Sequence, residues 1–365
     1  MCRFVIYKGT SPVQLSHVSP LLVPSTCASF RLSAAINAPV PLHHKSSLRF
    51  TTTSGPPEAN KRRRIRCWCV STLIITTYLF QTAAGWYDAD HDEELGSQPC
   101  IFTSVTPAWN NANLVRLAEK IKSPLVFAHV RATTAGSLSL DNCHPFVFGN
   151  IMFMHNGGIA DFHLVKRRLQ GELLDEVFNV VQGNTVLHVA LICSQLPDAN
   201  AKSFTHQTLQ RAMLDTIASL NNYADLAGII EPSLMNFCVT DGESVVATRY
   251  ISSRHDEAAS LWFSSGTTFS EYMQGGHYKM TKADKRENII MITSEPLTFE
   301  KADWMEIRTN NMVVITPKMN FLQIPIVDKF YVSPSDPAAL NRGTDFAAAK
   351  GLLSPLTPTH LRDSI

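Results

Sequence analysis

The stretch from residue 124 to residue 159 reads PLVFAHVRATTAGSLSLDNCHPFVFGNIMFMHNGGI. It begins with an apolar run at 124–131 that is typical of a strand, and a second apolar run follows at 150–156. Polar side chains crowd the loop after the first run, and a Gly-Gly turn follows the second. The stretch therefore predicts two strands whose ends carry candidate functional groups.

Four side chains in this stretch could carry chemistry. Arg131 stands at a predicted strand end, where its guanidinium can hold a carboxylate through two parallel hydrogen bonds. Thr134 and His144 are hydrogen-bonding groups in the loop that follows. Asn156 adds a side-chain amide to the backbone N–H groups that the glycine turn frees, and together these donors could hold a developing oxyanion. Taken singly, Arg131 and His144 are equally typical of a surface salt bridge and a loop histidine, and the glycine turn is more typical of a plain tight turn.

The second residue of the chain is a further candidate. If Met1 is removed, Cys2 becomes the N-terminal residue, and its thiol lies beside a free α-amine with a pKa near ~7.7–8.0. That amine is a base, so one residue would supply both nucleophile and base. A Met-Cys start is uninformative by itself, and the other motifs give it weight.

Composition narrows the class of protein. The chain has 365 residues, of which 45% are apolar and 17% charged, so disorder, collagen and coiled coil are excluded. The net charge of +1 gives no general attraction to nucleic acid or anionic membranes. Eight cysteines without a CxxC pair, and the lack of a secretory signal at the start, predict a cytoplasmic protein without a disulfide scaffold. We expect no metal and no cofactor, because His43, His44 and His144 lack ligand-like spacing with acids.

Periodicity predicts layered sheets flanked by helices, because strands outnumber helices and the helices come in blocks. The first ten residues alternate, with Phe4 and Ile6 on one face of a strand and Val5 and Tyr7 on the other. Helices are predicted over 111–122 with Asn111 as cap, over 162–170 with Asp161 as cap, and over 206–221. A hairpin is predicted at Asp241-Gly242, and later strands at LWFSS (261–265), NIIMIT (288–293), NMVVIT (311–316) and LQIPIV (322–327).

The order MCRFVIYKG, HVRATTAG, NCHPF and MHNGGI resembles that of the class II glutamine amidotransferases, which are N-terminal-nucleophile hydrolases. Within them it is similar to the branch that includes the amidotransferase-like subunit of the fungal glutathione-degradation complex. The resemblance covers residues 1 to about 20 and about 85 to 330. It implies an α+β fold, a four-layer αββα sandwich of two antiparallel sheets, in a domain over residues 2–330.

The resemblance also implies roles for the candidate residues. Cys2 would attack the γ-amide carbon of glutamine or glutathione and form a γ-glutamyl thioester that water then hydrolyses. Asn156 and the backbone N–H of Gly157 would stabilise the oxyanion. Arg131 would hold the substrate's α-carboxylate, and Thr134 and His144 would complete the glutamine pocket. The fungal relatives imply a partner subunit that resembles a WD-repeat protein fused to an M20 metallopeptidase-type domain.

Three segments depart from the expected pattern. A basic and apolar run, KRRRIRCWCVSTLIITTYLF at 61–80, stands in place of a glycine-rich strand, so residues 31–84 are an atypical insert or a mis-spliced segment. Its apolar part, 67–80, is shorter than the ~20 residues of a membrane span, so a membrane protein is disfavoured. Residues 333–365 have the composition of a loose extension.

The third departure concerns catalysis. Val186 follows Thr185 where the family has an acid that pairs with the substrate's α-ammonium. The alternative to an active hydrolase is therefore an impaired family member that acts as a scaffold or regulatory subunit.

Overall fold

Two antiparallel sheets form the centre of the protein. The computed structural model describes residues 3–18, 79–89, 94, 96–133, 139–179, 187–273, 277–282, 288–298 and 301–354, and all of them belong to one compact unit. The first sheet consists, in spatial order, of β13 (Met305–Glu306), β9 (Trp262–Gly266), β12 (Ile289–Thr293), β1 (Arg3–Gln14), β4 (Lys122–Thr133), β2 (Leu79–Trp86) and β3 (Cys100–Ser104). The second consists of β15 (Phe321–Pro325), β14 (Asn311–Ile315), β8 (Val245–Arg249), β7 (Leu234–Thr240), β6 (Ile151–Gly158) and β5 (Phe146–Phe148).

Helices and one hairpin complete the described part of the chain. The hairpin pairs β10 (Thr268–Met273) with β11 (His277–Thr281). The helices are α1 (Leu15–Val18), α2 (Ala112–Ala118), α3 (Phe162–Gly171), α4 (Asp175–Phe178), α5 (Leu187–Ser194), α6 (His206–Leu226), α7 (Pro337–Leu340) and α8 (Asp345–Ala349).

Side-chain alternation along β1 shows how the layers stack. Phe4 and Ile6 belong to an apolar cluster that joins the two sheets, with contributions from β6, β7, β8 and β14. Val5 and Tyr7 point to the opposite face and pack in a cluster with Leu114 of α2. The predicted alternation is confirmed, and it follows from the two-residue period of a strand that is buried on both faces.

The second sheet is covered in the same way. Ile151 and Phe153 of β6 pack in a cluster with residues of α3, α5 and α6, whereas Met152 and Met154 face the first sheet. Helices therefore lie outside both sheets, which gives the order helix, sheet, sheet, helix. The predicted α+β sandwich of two antiparallel sheets is confirmed.

Most local predictions are also confirmed, with one exception. Asn111 caps α2, since its side chain accepts from the Leu114 N–H. The Asp241-Gly242 hairpin forms between β7 and β8, and the Asp241 carboxylate accepts from the Ser244 N–H at 2.9 Å. Asp161 precedes α3 as expected, but it makes no side-chain capping bond, so its predicted capping role is wrong. Its φ of 40° is left-handed, a conformation that aspartate tolerates better than most residues.

The atypical run at 61–80 lies largely outside the described residues. Only its last two residues are described, and they begin β2, whose pairing with β4 sets Gln81 opposite Arg131 and Gly85 opposite Phe127. A Cβ at Gly85 would lie 2.5 Å from the Met152 sulfur, so that side chain would have to shift to admit a larger residue there. Among the helices that the structure describes, none is both long and apolar enough to cross a bilayer.

The segment expected to be a loose extension contacts the sandwich as far as it is described, to residue 354. Leu352 is buried in a small cluster with Leu234 and Ile251, and its carbonyl accepts from the Ser260 N–H at 2.9 Å. The Arg342 guanidinium donates to the Asp256 carbonyl at 2.9 Å. These contacts place residues 342–352 beside the ends of the central strands.

The buried guanidinium of Arg249 stabilises the end of β8 in the second sheet. Arg249 ends β8 and is almost fully buried. It pairs with Glu306 at 3.1 Å and with Glu257 at 3.5 Å, and it donates to the Ile307 carbonyl at 2.5 Å. The two carboxylates compensate the charge, and the carbonyl uses a further donor of the guanidinium fork.

Candidate active site

The ends of three strands bring most of the predicted residues to one region. Asn156 and Gly157 lie near the end of β6, and Arg131 lies near the end of β4. β1 begins at Arg3, which pairs with Val130, so the start of β1 is adjacent to Arg131. Cys2 and Thr134, also predicted as site residues, lie outside the described residues.

Asn156 is connected to the start of β1 through a serine. Its side chain is fully buried, and its Nδ2 donates to the Ser294 hydroxyl at 3.0 Å. The same hydroxyl accepts from the Phe4 N–H at 3.1 Å, and the Ser294 N–H returns a bond to the Phe4 carbonyl. Asn156 Oδ1 has no hydrogen-bond partner among the described residues. The Ser294 hydroxyl thus links Asn156 in the second sheet to β1 in the first sheet.

Gly157 occupies a position that only glycine can fill. Its φ is 153°, and a Cβ there would lie 2.0 Å from the Leu234 carbonyl oxygen on β7. The neighbouring Gly158 has no heavy atom within 4 Å of its Cβ direction. The close approach of β6 and β7 at Gly157 therefore requires a residue without a side chain.

Three histidines lie close together near the end of β6, and one of them, His155, belongs to the strand. The Nδ1 of His144 accepts from the backbone N–H of His155 at 2.9 Å, so the NCHPF loop is bonded to the residue before Asn156. The His144 ring stacks on His129 with centroids 4.5 Å apart. His155 Nε2 lies 2.9 Å from the Leu234 carbonyl. His144 is buried and supports the β6 main chain; its contact with substrate stays a prediction.

Burial keeps two of these rings neutral. The pKa of His129 is lowered to about 3 and that of His155 to about 4, in each case chiefly because burial disfavours the charged form. The positive charge of Arg131 lowers both values further. Neither ring is therefore protonated near neutral pH, and the positive charge that acts on both rings is that of Arg131.

Arg131 is half-buried and holds the loop that follows it. Its Nη1 donates to the Asn142 carbonyl at 3.2 Å, at the end of a 3₁₀ turn over Leu140–Asn142. Gln81, opposite Arg131 in the sheet, donates to the Ser139 carbonyl at 2.7 Å in the same loop. Sequence reasoning did not select Gln81, because only the strand pairing places it beside Arg131.

Arg3, the first described residue, is held on two sides. Its guanidinium forms an ion pair with Glu295 and donates to the Gly351 carbonyl at 3.3 Å. Ser294 and Glu295 directly follow β12, so a dipeptide at one strand end contacts both Arg3 and Phe4. Sequence reasoning missed this dipeptide. The polar Ser-Glu pair at the end of the apolar run NIIMIT was the available signal, since the same kind of signal selected Arg131.

Residues 82–319 match the family described as class-II glutamine amidotransferases. The match spans more than half of the chain and includes Arg131, Asn156, Gly157 and Ser294. This chain belongs to the class II glutamine amidotransferase family. The predicted family is confirmed, and with it an amidotransferase-type enzyme.

Two individual proteins illustrate how this amidotransferase compares with its relatives. It is 39% identical to a Saccharomyces cerevisiae protein named "Probable glutamine amidotransferase DUG3" over 98% of this chain and 92% of that one. Among solved structures, a glutamine aminotransferase class-II domain protein from Silicibacter pomeroyi matches with a TM-score of 0.51 and 18% identity. That match covers 90% of this chain and all of the other, and it shows a shared fold.

Within the described residues, no cluster of three or more histidine, cysteine, aspartate or glutamate side chains could hold a metal ion. The segment with Val186, where the sequence lacks the family's acid, lies outside the described residues.

Proposed function

We propose that this amidotransferase hydrolyses a γ-glutamyl amide with Cys2 as nucleophile. The observation that carries the proposal is the junction at Ser294, whose hydroxyl bonds both Asn156 Nδ2 and the Phe4 N–H. It links the amide proposed for the oxyanion hole to the strand that begins one residue after Cys2. The substrate class is a small molecule with a γ-glutamyl group, and the candidates are glutamine and glutathione.

The reaction proceeds in two steps, formation of a thioester and its hydrolysis. After Met1 is removed, the free α-amine takes the thiol proton of Cys2, and the sulfur attacks the γ-carbonyl carbon. Asn156 and the backbone N–H of Gly157 stabilise the resulting oxyanion. The tetrahedral species collapses, the amine leaves with the proton, and a γ-glutamyl thioester remains. Water then adds to the thioester, which releases glutamate and restores the thiol.

Substrate recognition falls to the cation and the loop beside it. Arg131 holds the α-carboxylate through its guanidinium, and Thr134 and His144 belong to the same pocket. Arg131 supplies the positive charge for this contact, because His129 and His155 stay neutral and the Arg3 guanidinium is paired with Glu295. Glutathione presents the same α-amino, α-carboxylate and γ-amide groups as glutamine, so both fit this arrangement.

The cellular setting is part of the proposal. We infer a cytoplasmic enzyme that works with a partner subunit resembling a WD-repeat protein fused to an M20 metallopeptidase-type domain. Co-purification of the tagged full-length chain from its own cells, followed by mass spectrometry of the captured proteins, tests this. Recovery of the chain alone, from every lysate condition, would contradict the partner.

The first experiment is intact-mass analysis before and after a diazoketone analogue of glutamine, which alkylates the nucleophile. We expect loss of Met1 and one adduct, mapped by peptide sequencing to Cys2. Burial raises the pKa of Cys143 to about 11 and of Cys193 to about 12, so these thiols stay protonated and unreactive at neutral pH.

Matched variants make this test specific. Cys2→Ser should abolish the adduct, whereas Cys100→Ser, at an exposed cysteine outside the proposed site, should leave it unchanged. Glutamate release from glutamine and from glutathione is then measured on the same samples. A chain that loses Met1 but forms no adduct and releases no glutamate would refute the hydrolase and favour the scaffold alternative.

A further inference from the structure

Ser294 lies at the meeting point of the two sheets, and its hydroxyl has a choice of hydrogen bonds. It is fully buried, and it accepts one bond from the Phe4 N–H at 3.1 Å. A hydroxyl carries one donor hydrogen and two acceptor lone pairs. After the bond from Phe4, one further acceptance and one donation remain available for Asn156.

Asn156 offers two orientations to that hydroxyl. In the orientation of the structure, Nδ2 donates to Ser294 Oγ at 3.0 Å, and Oδ1 is buried without a partner among the described residues. Buried carbonyl oxygens are rarely left without a partner. A half-turn of the amide exchanges the two atoms with almost no change in shape. Ser294 then donates to Oδ1 while it still accepts from Phe4, and the NH₂ group occupies the position without a partner.

We propose that Ser294 is the positioning residue that turns the Asn156 amide so that its NH₂ group faces the reacting carbonyl. This inference rests on the proposed function, in which Asn156 is an oxyanion donor. A carbonyl oxygen in that place would repel the developing negative charge, whereas an NH₂ group stabilises it. The donor in the unpartnered position is then satisfied by the oxyanion.

The same hydroxyl couples this choice to the nucleophile strand. Phe4 lies two residues after Cys2, and the Ser294 main chain also pairs with Phe4 through its own N–H. Ser260 fixes Ser294 from behind, since its hydroxyl donates to the Ser294 carbonyl at 2.9 Å. Ser294 thus cannot move relative to the start of β1 without breaking several hydrogen bonds.

The test compares Ser294→Ala with a matched control, Ser244→Ala. Ser244 is another fully buried serine, and its hydroxyl has no partner among the described residues. We expect Ser294→Ala to lower kcat for glutamine about 100-fold, the lower end of the loss caused by removing an oxyanion donor. KM should change less than about threefold, because the substrate's α-carboxylate is held elsewhere, by Arg131. Ser244→Ala should keep the wild-type kcat.

Two further readouts separate positioning from a structural effect. The γ-aldehyde analogue of glutamine adds the Cys2 thiol across its C=O bond and places an oxygen in the oxyanion hole. Its inhibition constant should rise with the loss in kcat, whereas that of L-glutamate should stay unchanged. In an Asn156→Ala background, Ser294→Ala should lower kcat less than about threefold, because a residue that acts through Asn156 has nothing left to orient.

The outcomes divide cleanly. If Ser294→Ala keeps the wild-type kcat, or if its loss is undiminished in the Asn156→Ala background, the inference is wrong and the proposed function stands. If the wild-type chain, with Met1 removed, hydrolyses neither glutamine nor glutathione, both are wrong. If a thermal-unfolding assay shows that Ser294→Ala does not fold, Ser294→Cys replaces it, because a thiol has a similar size but is a weak donor. The same losses in kcat and in inhibition by the aldehyde are expected.

Discussion

Replacing Gly157 with alanine should lower both the free energy of unfolding and kcat, and the structure indicates the size of each loss. A Cβ at this position would lie 2.0 Å from the Leu234 carbonyl oxygen, whereas real Cβ contacts essentially never fall below 3.0 Å. The main chains of β6 and β7 must therefore separate by about 1 Å at a point where they are paired. The alanine must also adopt a φ of 153°, which L-residues rarely do.

The free-energy cost has two parts. A strained backbone conformation costs about 1–3 kcal/mol. Moving the Leu234 carbonyl also weakens its 2.9 Å contact with His155, worth about 0.5–1.5 kcal/mol. We therefore expect Gly157→Ala to lower the free energy of unfolding by about 2–4 kcal/mol. Because Asn156 is the adjacent residue, a displacement of this size should also lower kcat about 100-fold.

Urea unfolding and initial rates of glutamate release measure the two effects. Gly158→Ala is the matched control, since nothing lies within 4 Å of its Cβ direction and its φ is not positive. The control should unfold within about 0.5 kcal/mol of the wild type, as substitutions in open space do. If Gly157→Ala behaved like Gly158→Ala in both assays, the argument from close strand approach would be refuted.

Three other perturbations test separate parts of the structure. Arg131→Lys keeps the charge but loses the planar fork, so KM for glutamine should rise about 10- to 100-fold with kcat nearly constant in steady-state assays. Arg249→Met leaves two carboxylates without their guanidinium and should lower the free energy of unfolding in urea by about 3 kcal/mol. His129 and His155 have folded pKa values of about 3 and about 4 against an ordinary 6.5, so the unfolded chain protonates first as pH falls. The stabilisation that these neutral rings provide is complete above pH 6.5 and is lost below it, by about 2 kcal/mol for each ring at pH 5. Urea unfolding at pH 7.5 and at pH 5 measures this loss.

Exposed arginines serve as the controls for the two arginine substitutions. Arg116→Lys, on the exposed face of α2, should leave KM unaltered. Arg211→Met removes an ion pair whose arginine is 78% exposed, so it should cost less than about 1 kcal/mol. A free energy of unfolding that stays constant between pH 7.5 and pH 5 would contradict the buried neutral histidines.

Local patterns in the sequence were sufficient for many of the strands, several helices and part of the site. Phe4 and Ile6 were placed opposite Val5 and Tyr7 because successive side chains of a strand point to opposite faces of the sheet. Arg131 and Asn156 were visible as polar residues that end apolar runs. The family resemblance then implied roles for these side chains and for Cys2 and Thr134, and all of these roles stay predictions.

The same patterns did not predict side-chain contacts that depend on local geometry. Asp161 has the residue type and spacing of a helix cap, yet its left-handed backbone leaves its side chain without the capping bond. The ring of His144 is stacked on His129 and bonded to the main chain of β6, which the patterns did not predict, and its role in the glutamine pocket stays a prediction. Neither a backbone dihedral nor a ring stack leaves a periodic trace in the sequence.

The arrangement at Ser294 was decided by tertiary structure alone. Asn156 and Ser294 are 138 positions apart, and Phe4 and Ser294 are 290 apart. They meet because β12 pairs with β1 in the first sheet while β6 of the second sheet lies across from them. Hydrophobic periodicity reports which face of each strand is buried, but it contains no information about strand order or about which sheet lies opposite. A hydrogen bond acts over about 3 Å, so its partners are known only when that order is known.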